Sequence, residues 1–475
     1  MKTKRFFSLF LILTLVMSLW ATPQAVAAED PNIQAKAALL VDVNTDSVVY
    51  AKNAHQEMYP ASLTKVMTTL LVLDAIDAGK LRLDQELTAS ESAFLGLAAD
   101  GSNAGIKPGE IMTVENLLYC VMVVSANEAC NILAEAVSGD VSAFVAEMNN
   151  KAKALGCQNT HFANTNGLHD PQHYTSAWDM YLITKAAMEH DLFMTIADTA
   201  NVVIPATNLS KERNYWTTNH LLSTWRVIGY RNKEAHGIKT GSTDEAGYCL
   251  ISSAARGSMH CVSVIMGAER VEENGKGNLR SFSETTRMFN YGFENFSFQT
   301  ILEPSKEVTK EIAVTLSKID HVTVAPNEEV EVLFPNDLDP ADLQRTIHVE
   351  EPVEAPIQRG QKLGTMDLYY GDTVYATVDL LALHDVEASR LLVFWRDVQL
   401  FFEKPIMRIL PLVLLALIIL LVLWICLFAR RRRRYGRSSV RRRSSGTPLL
   451  WRVFLWDSRS PDTCLDKPEA VDEVS

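Results

Sequence analysis

The sequence predicts an α+β protein: an antiparallel sheet flanked by a helical cluster, followed by a small all-β domain and a C-terminal transmembrane helix. Three observations carry this. Strand, helix and then strand signals succeed one another between about residues 35 and 295. Short alternating runs replace them after about residue 298. A 21-residue stretch without charge, 409–429, stands near the end.

Taken in order, residues 1–28 open with Lys2, Lys4 and Arg5, continue through an apolar run from Phe6 to Trp20, and close on Ala25-Val-Ala-Ala28. A basic start, a short apolar stretch and an A-x-A site predict a cleaved signal peptide. Ala37 to Tyr50 reads as a hairpin around Asn-Thr-Asp-Ser. Leu63 to Ile76 is apolar nearly all round and so reads as a buried helix. Thr113 is the expected N-cap of a helix through Leu117, Leu118 and Val121. Asn127 to Val137 and Val141 to Leu155 read as further helices, the second stopped by Gly156. Gly247 to Ser253 and His260 to Met266 read as strands joined by Ala-Arg-Gly-Ser.

Beyond these, 298–387 holds short β runs separated by turns such as Phe334-Pro-Asn-Asp, with no cluster of catalytic residue types. That domain reads as a stalk or interaction module. The segment 388–408 has a helical apolar face (Leu391, Leu392, Phe394, Trp395, Val398, Phe401, Phe402) suited to a membrane interface or to packing on the β domain. Arg430 to Arg434 follow the apolar span at once, so the tail 430–475 is expected in the cytoplasm and 29–408 outside.

Charge sorts the same way. The formal net charge of −12 conceals +3 in residues 1–28, +6 in 430–475 and −21 between them. So acidic an external part disfavours nucleic acid as a partner. Five cysteines lie there (Cys120, Cys130, Cys157, Cys249, Cys261), an odd count in apolar surroundings that reads chiefly as free buried thiols. No spacing points to a metal or cofactor.

The chemistry gathers in three short motifs. Ser62 and Lys65, in Pro60-Ala-Ser-Leu-Thr-Lys65, share one helical face. A serine needs a base, and burial lowers a lysine's pKa toward that role. Ser62 at a helix start also places backbone N–H groups near developing negative charge. Ser125-Ala-Asn127 offers a proton relay and an amide for substrate. Lys239-Thr240-Gly241, followed by Ser242, offers a cation and hydroxyls for a carboxylate. Each alone is a common cap or turn. The order S-x-x-K, S-x-N, K-T-G is the set associated with penicillin-binding proteins and class A β-lactamases.

With those motifs, His236-Gly-Ile-Lys-Thr-Gly-Ser-Thr-Asp-Glu-Ala-Gly-Tyr248 and Asn164-Thr-Asn-Gly-Leu-His-Asp170 make the chain resemble the low-molecular-mass penicillin-binding D-alanyl-D-alanine carboxypeptidases from about Ala35 to Leu381. The resemblance implies a β-lactamase/transpeptidase-like fold. It implies Ser62 as nucleophile, Lys65 as general base, Ser125 as proton relay, Asn127 on a substrate amide, and Lys239 with Thr240 on the carboxylate. Backbone N–H groups of Ser62 and Ser242 would form the oxyanion hole. The implied partners are peptidoglycan stem peptides, β-lactams and a membrane. Competing readings are a β-lactamase, a sensor without turnover, and an endopeptidase. The first needs a carboxylate base, yet 151–188 holds no Glu, leaving Asp170 and Asp179 as candidates. A span with a basic tail also departs from the short amphipathic anchor of many relatives.

Overall fold

The computed structural model describes residues 30–98, 101–273, 276–306 and 309–434; the signal-peptide segment and the tail from 435 lie outside the described residues. Five strands form the main sheet: β1 (Ala37–Asp42), β2 (Val48–Lys52), β3 (Ala235–Thr243), β4 (Gly247–Arg256) and β5 (Met259–Ala268), in the order β2-β1-β5-β4-β3. All pairs are antiparallel.

Because strand side chains alternate faces, this sheet feeds two interiors. Leu39, Val41, Ile251, Val262 and Val264 point into a core shared with the helical layer. Ala38, Leu40, Leu250, Ala254 and Ile265 point into a second core under a helix spanning Arg280–Asn295. That helix spaces Phe282, Met288 and Phe289 along one face, which is why it docks there.

The helical layer holds α1 (Lys65–Asp77), α2 (Val114–Val123), α3 (Asn127–Ser138), α4 (Val141–Ala154) and α5 (Ala177–Met188). Thr113 caps α2 by accepting from the Asn116 N–H at 3.2 Å. Asp140 does the same for α4. Helix α1 is buried on nearly every side, with Val66, Met67, Leu70 and Val72 under 2% exposed. It differs from expectation at its start: Ala61–Thr64 is a 3-10 turn, and the α-helix begins only at Lys65.

A six-stranded sheet and a two-stranded one make up the β domain, with their own core around Ile312, Val322, Phe334, Leu368 and Val378. Leu333 leaves that core to pack with Phe289 and its neighbours, joining the two domains.

The C-terminal unit is described by itself. A helix at Arg390–Glu403 exposes Leu391, Phe394, Trp395 and Phe402. Another, Pro405–Arg434, carries the 20-residue apolar stretch Ile409–Phe428, with a mean hydropathy of 3.3. It is long enough to anchor the chain in a membrane, and the helix runs on through Arg430–Arg434. Cys120, Cys130, Cys249 and Cys261 are buried free thiols, Cys157 a half-buried one.

Candidate active site

Ser62 sits in the 3-10 turn, one residue after Ala61, whose backbone has φ +46°. A non-glycine residue there costs of order 1–3 kcal/mol and persists only when its surroundings hold it. They do. The Ala61 carbonyl accepts from the Thr64 hydroxyl at 2.8 Å, and Gly167 packs against the same oxygen. A Cβ on Gly167 would lie 1.8 Å from the Ala61 oxygen, at a backbone φ of +86° that disfavours any side chain. Gly167→Ala is therefore expected to lower stability by at least about 2 kcal/mol. An unchanged thermal midpoint for the variant would refute that close packing.

Lys65 is fully buried, and its Nζ meets three oxygens: Ser62 Oγ at 2.8 Å, Asn127 Oδ1 at 2.8 Å and the Asn166 carbonyl at 2.6 Å. The last two only accept. A neutral amine has two N–H donors and one lone pair, so donation to Asn127 and Asn166 leaves the lone pair for the Ser62 hydroxyl proton. Burial drives its pKa down to about 8, while Cys130 and Glu128 pull it back up.

Glu128 is itself buried; its Oε1 accepts from the Ala104 N–H at 2.7 Å, and burial raises its pKa. The Ser102 carbonyl accepts from the Asn127 N–H at 2.9 Å, so the segment around 101–106 is tied to the start of α3.

Ser125, 3% exposed, joins α2 to α3 with φ +64°, and its buried Oγ has no hydrogen-bond partner among the described residues. Unpartnered buried hydroxyls are rare, and this one lines a hollow of about 180 Å³ together with Ser62, Thr218, His220, Thr240 and Ser242. A larger cavity, about 860 Å³, opens on the other side of Ser62, lined by Asn127, Asn166, Gly167, His169, Ser242 and Glu245. Ser62 and Ser242 thus stand between two chambers.

β3 passes directly over the nucleophile turn. A Cβ on Gly241 would meet the Pro60 oxygen and the Ser62 nitrogen at 3.0 Å, so Gly241 permits this approach. Thr240 Oγ1 lies 2.6 Å from Thr218 Oγ1 at the small hollow. Lys239 is 1% exposed and sits behind that wall, donating to the Thr240 carbonyl at 3.0 Å. Burial, reinforced by the charge of nearby Lys65, lowers its pKa well below the usual range.

All eight residues singled out from the motifs therefore converge. Sequence reasoning missed Thr218 and His220 in the small hollow, and the Asn166 carbonyl on Lys65. Only the Asn164–Asp170 resemblance drew attention to the latter's segment. Of the two carboxylates left for a β-lactamase base, Asp179 is committed to the Gln158 and Asn159 N–H groups and the Thr160 hydroxyl. Asp170 accepts from the Gln172 N–H.

A serine beside a buried lysine whose hydrogen bonds run to neutral oxygens, flanked by an unpartnered hydroxyl and facing two chambers, defines a serine acyl-transfer enzyme. Comparison with known proteins makes the class specific. The family profile described as "D-alanyl-D-alanine carboxypeptidase" matches residues 24–270, and that of the "Penicillin-binding protein 5, C-terminal domain" matches 296–388. The chain belongs to the serine D-alanyl-D-alanine carboxypeptidase family.

It is 31% identical over 385 residues to D-alanyl-D-alanine carboxypeptidase DacF of Bacillus subtilis, covering 80% of this chain and 94% of that one. Against DacC of Escherichia coli it is 31% identical over 375 residues, covering 77% and 88%. Among solved structures, the carboxypeptidase DacD from Francisella tularensis superposes with a TM-score of 0.62 at 26% identity, covering 78% and 98%. Penicillin binding protein 5 from Haemophilus influenzae gives 0.58 at 29%, covering 75% and 99%. The family acts on peptidoglycan peptides, and β-lactam binding is typical of it.

Proposed function

We propose that this chain removes the terminal D-alanine from peptidoglycan stem pentapeptides through an acyl-enzyme on Ser62. The observation that carries this is the Lys65 amine, 2.8 Å from Ser62 Oγ and otherwise facing two pure acceptors. In the reaction Lys65 takes the Ser62 proton as Oγ attacks the carbonyl between the two D-alanines. Backbone N–H groups of Ser62 and Ser242 stabilise the oxyanion. Ser125 passes the proton to the departing amine, and Asn127 holds the acyl-side amide from the large chamber.

Thr240 and Thr218 meet the leaving carboxylate in the small hollow, with Lys239 supplying positive potential from behind. Two buried amines discourage each other's charge, so near neutral pH the pair does not hold both protons. Lys65 acts from its neutral fraction, which grows as pH rises through its pKa of about 8. Water then resolves the ester, and a β-lactam is trapped at the same oxygen.

The same proposal places the fold outside the cell. A leader at 1–28 exports it, the span at 409–429 anchors it as a single pass, and the tail from 430 stays in the cytoplasm. The domain limits 29–297 and 298–387, and an interfacial role for 388–408, belong to this reading. Incubating the full chain in detergent with a stem pentapeptide and identifying products by mass tests it. Free D-alanine is expected. A stable acyl-enzyme without release would replace the reading with a sensor, and cleavage confined to cross-linked dimers with an endopeptidase.

Lys239→Met, which keeps the buried volume, is expected to lower kcat/KM for the pentapeptide about 100-fold. Most of the loss should vanish with a peptide amidated at its C-terminus. Unchanged kinetics for the acid would remove Lys239 from carboxylate recognition.

A further inference from the structure

Under the nucleophile turn runs a chain of hydrogen bonds whose direction is determined at every link. His173 is 2% exposed. Its Nδ1 faces the Ala163 N–H at 3.0 Å and the Asn164 N–H at 3.4 Å, both donors, so Nδ1 accepts. The proton of the neutral ring therefore sits on Nε2, which lies 2.7 Å from Thr64 Oγ1 and donates to it. With its lone pair so engaged, the Thr64 hydroxyl donates onward to the Ala61 carbonyl at 2.8 Å. That carbonyl belongs to the rigid peptide unit whose other end is the Ser62 N–H. Orienting the oxygen orients the N–H.

We propose that His173 is a positioning residue of the acylation step: through Thr64 it fixes the Ala61–Ser62 peptide plane, and with it the aim of the Ser62 N–H at the developing oxyanion. The proposal rests on the reading of Ser62 as nucleophile and oxyanion donor.

Two further features fit. Ala61 lies in the left-handed region, where a peptide does not stay unless held. Burial also keeps the imidazole neutral, with a pKa near 4, as the network requires. Of the charged groups around it, Asp170 favours its protonation, whereas His161, Lys65 and His169 oppose it. The Phe162 ring packs on it nearly edge-on, at 5.6 Å between centroids. A second proton on Nδ1 would point at two N–H donors.

The test is stopped-flow acylation of the full chain by a fluorescent penicillin, resolving pre-covalent affinity from the acylation rate constant. His173→Phe keeps a ring and loses all three ring hydrogen bonds. It is expected to acylate about 10- to 100-fold more slowly, the range for a compromised oxyanion donor, with affinity within about threefold. His173→Gln, whose amide both donates and accepts, is expected to stay within about threefold of wild type. Thr64→Val should match His173→Phe, and the double variant should be no slower than either single one.

Thermal midpoints accompany each measurement. Should His173→Phe not fold, Thr64→Val alone decides. Wild-type acylation by either folded variant, or a Gln variant as slow as the Phe one, overturns the proposal. Ser62→Ala separates the two layers: labelling retained there fails the underlying reading, whereas labelling lost there with His173→Phe at full rate fails this inference alone.

Discussion

Ser62→Ala is expected to abolish covalent attachment of labelled penicillin and release of D-alanine while leaving the protein folded. Loss of the nucleophile removes the only route to the ester, and such changes cost about 10⁶-fold where a serine acts with its base as one unit. The fold survives because Ser62 contributes little packing. It is half-buried between two chambers, and Lys65 keeps Asn127 and Asn166 when the hydroxyl goes. Intact-protein mass spectrometry after incubation with penicillin, beside a thermal melt, reads both halves. An adduct on the variant would move the nucleophile elsewhere. Ser125, whose buried hydroxyl lines the same hollow, would be the first place to look.

Removing the base has the next largest effect. Lys65→Gln keeps a polar group of similar length that cannot take the Ser62 proton, and acylation is expected to fall about 10²- to 10⁴-fold. In the wild-type chain the same residue sets the pH dependence. Lys65 works as the neutral amine, and burial lowers its pKa to about 8. Below that value the neutral fraction falls as protons are added, so the acylation rate should rise with pH through about 8 and level off above it. Stopped-flow rates across that range check the sign. A rate flat through it, or falling as pH rises, would assign the base to another group.

What the sequence made legible was whatever depends on side-chain identity at short range. Ser62, Lys65, Ser125 and Asn127 are named by their spacing, Thr113 by its capping chemistry, and β4 with β5 by their β-rich runs. What it withheld depends on the path of the backbone. The Asn166 carbonyl is an acceptor that any residue would supply, and only the fold brings it to Lys65. The left-handed Ala61 carries no glycine or asparagine signal, because tertiary bonds from Thr64 and the packing of Gly167 hold it. Thr218 and His220 enter the small hollow from a segment without a recognised motif. The burial of Lys239, which donates to the Thr240 carbonyl, is likewise a matter of the fold and carries no motif signal. The Arg280–Asn295 helix went unread, although Phe282, Met288 and Phe289 stand at helical spacing on its buried face.

The two-faced sheet has a consequence for how the molecule tolerates change. Leu39 and Leu40 are adjacent in the chain, yet the first answers to the interior that supports Lys65 and α1, the second to the interior that ends at the β-domain junction. The backbone between them acts as a partition. The partition has an opening: Phe282, from the interior that seats Leu333, also lines the small hollow beside Ser62 and packs on His220. A change at Leu40 is therefore felt along the route from the β-domain seat to the leaving-group side of the site, and a change at Leu39 along the route to Lys65.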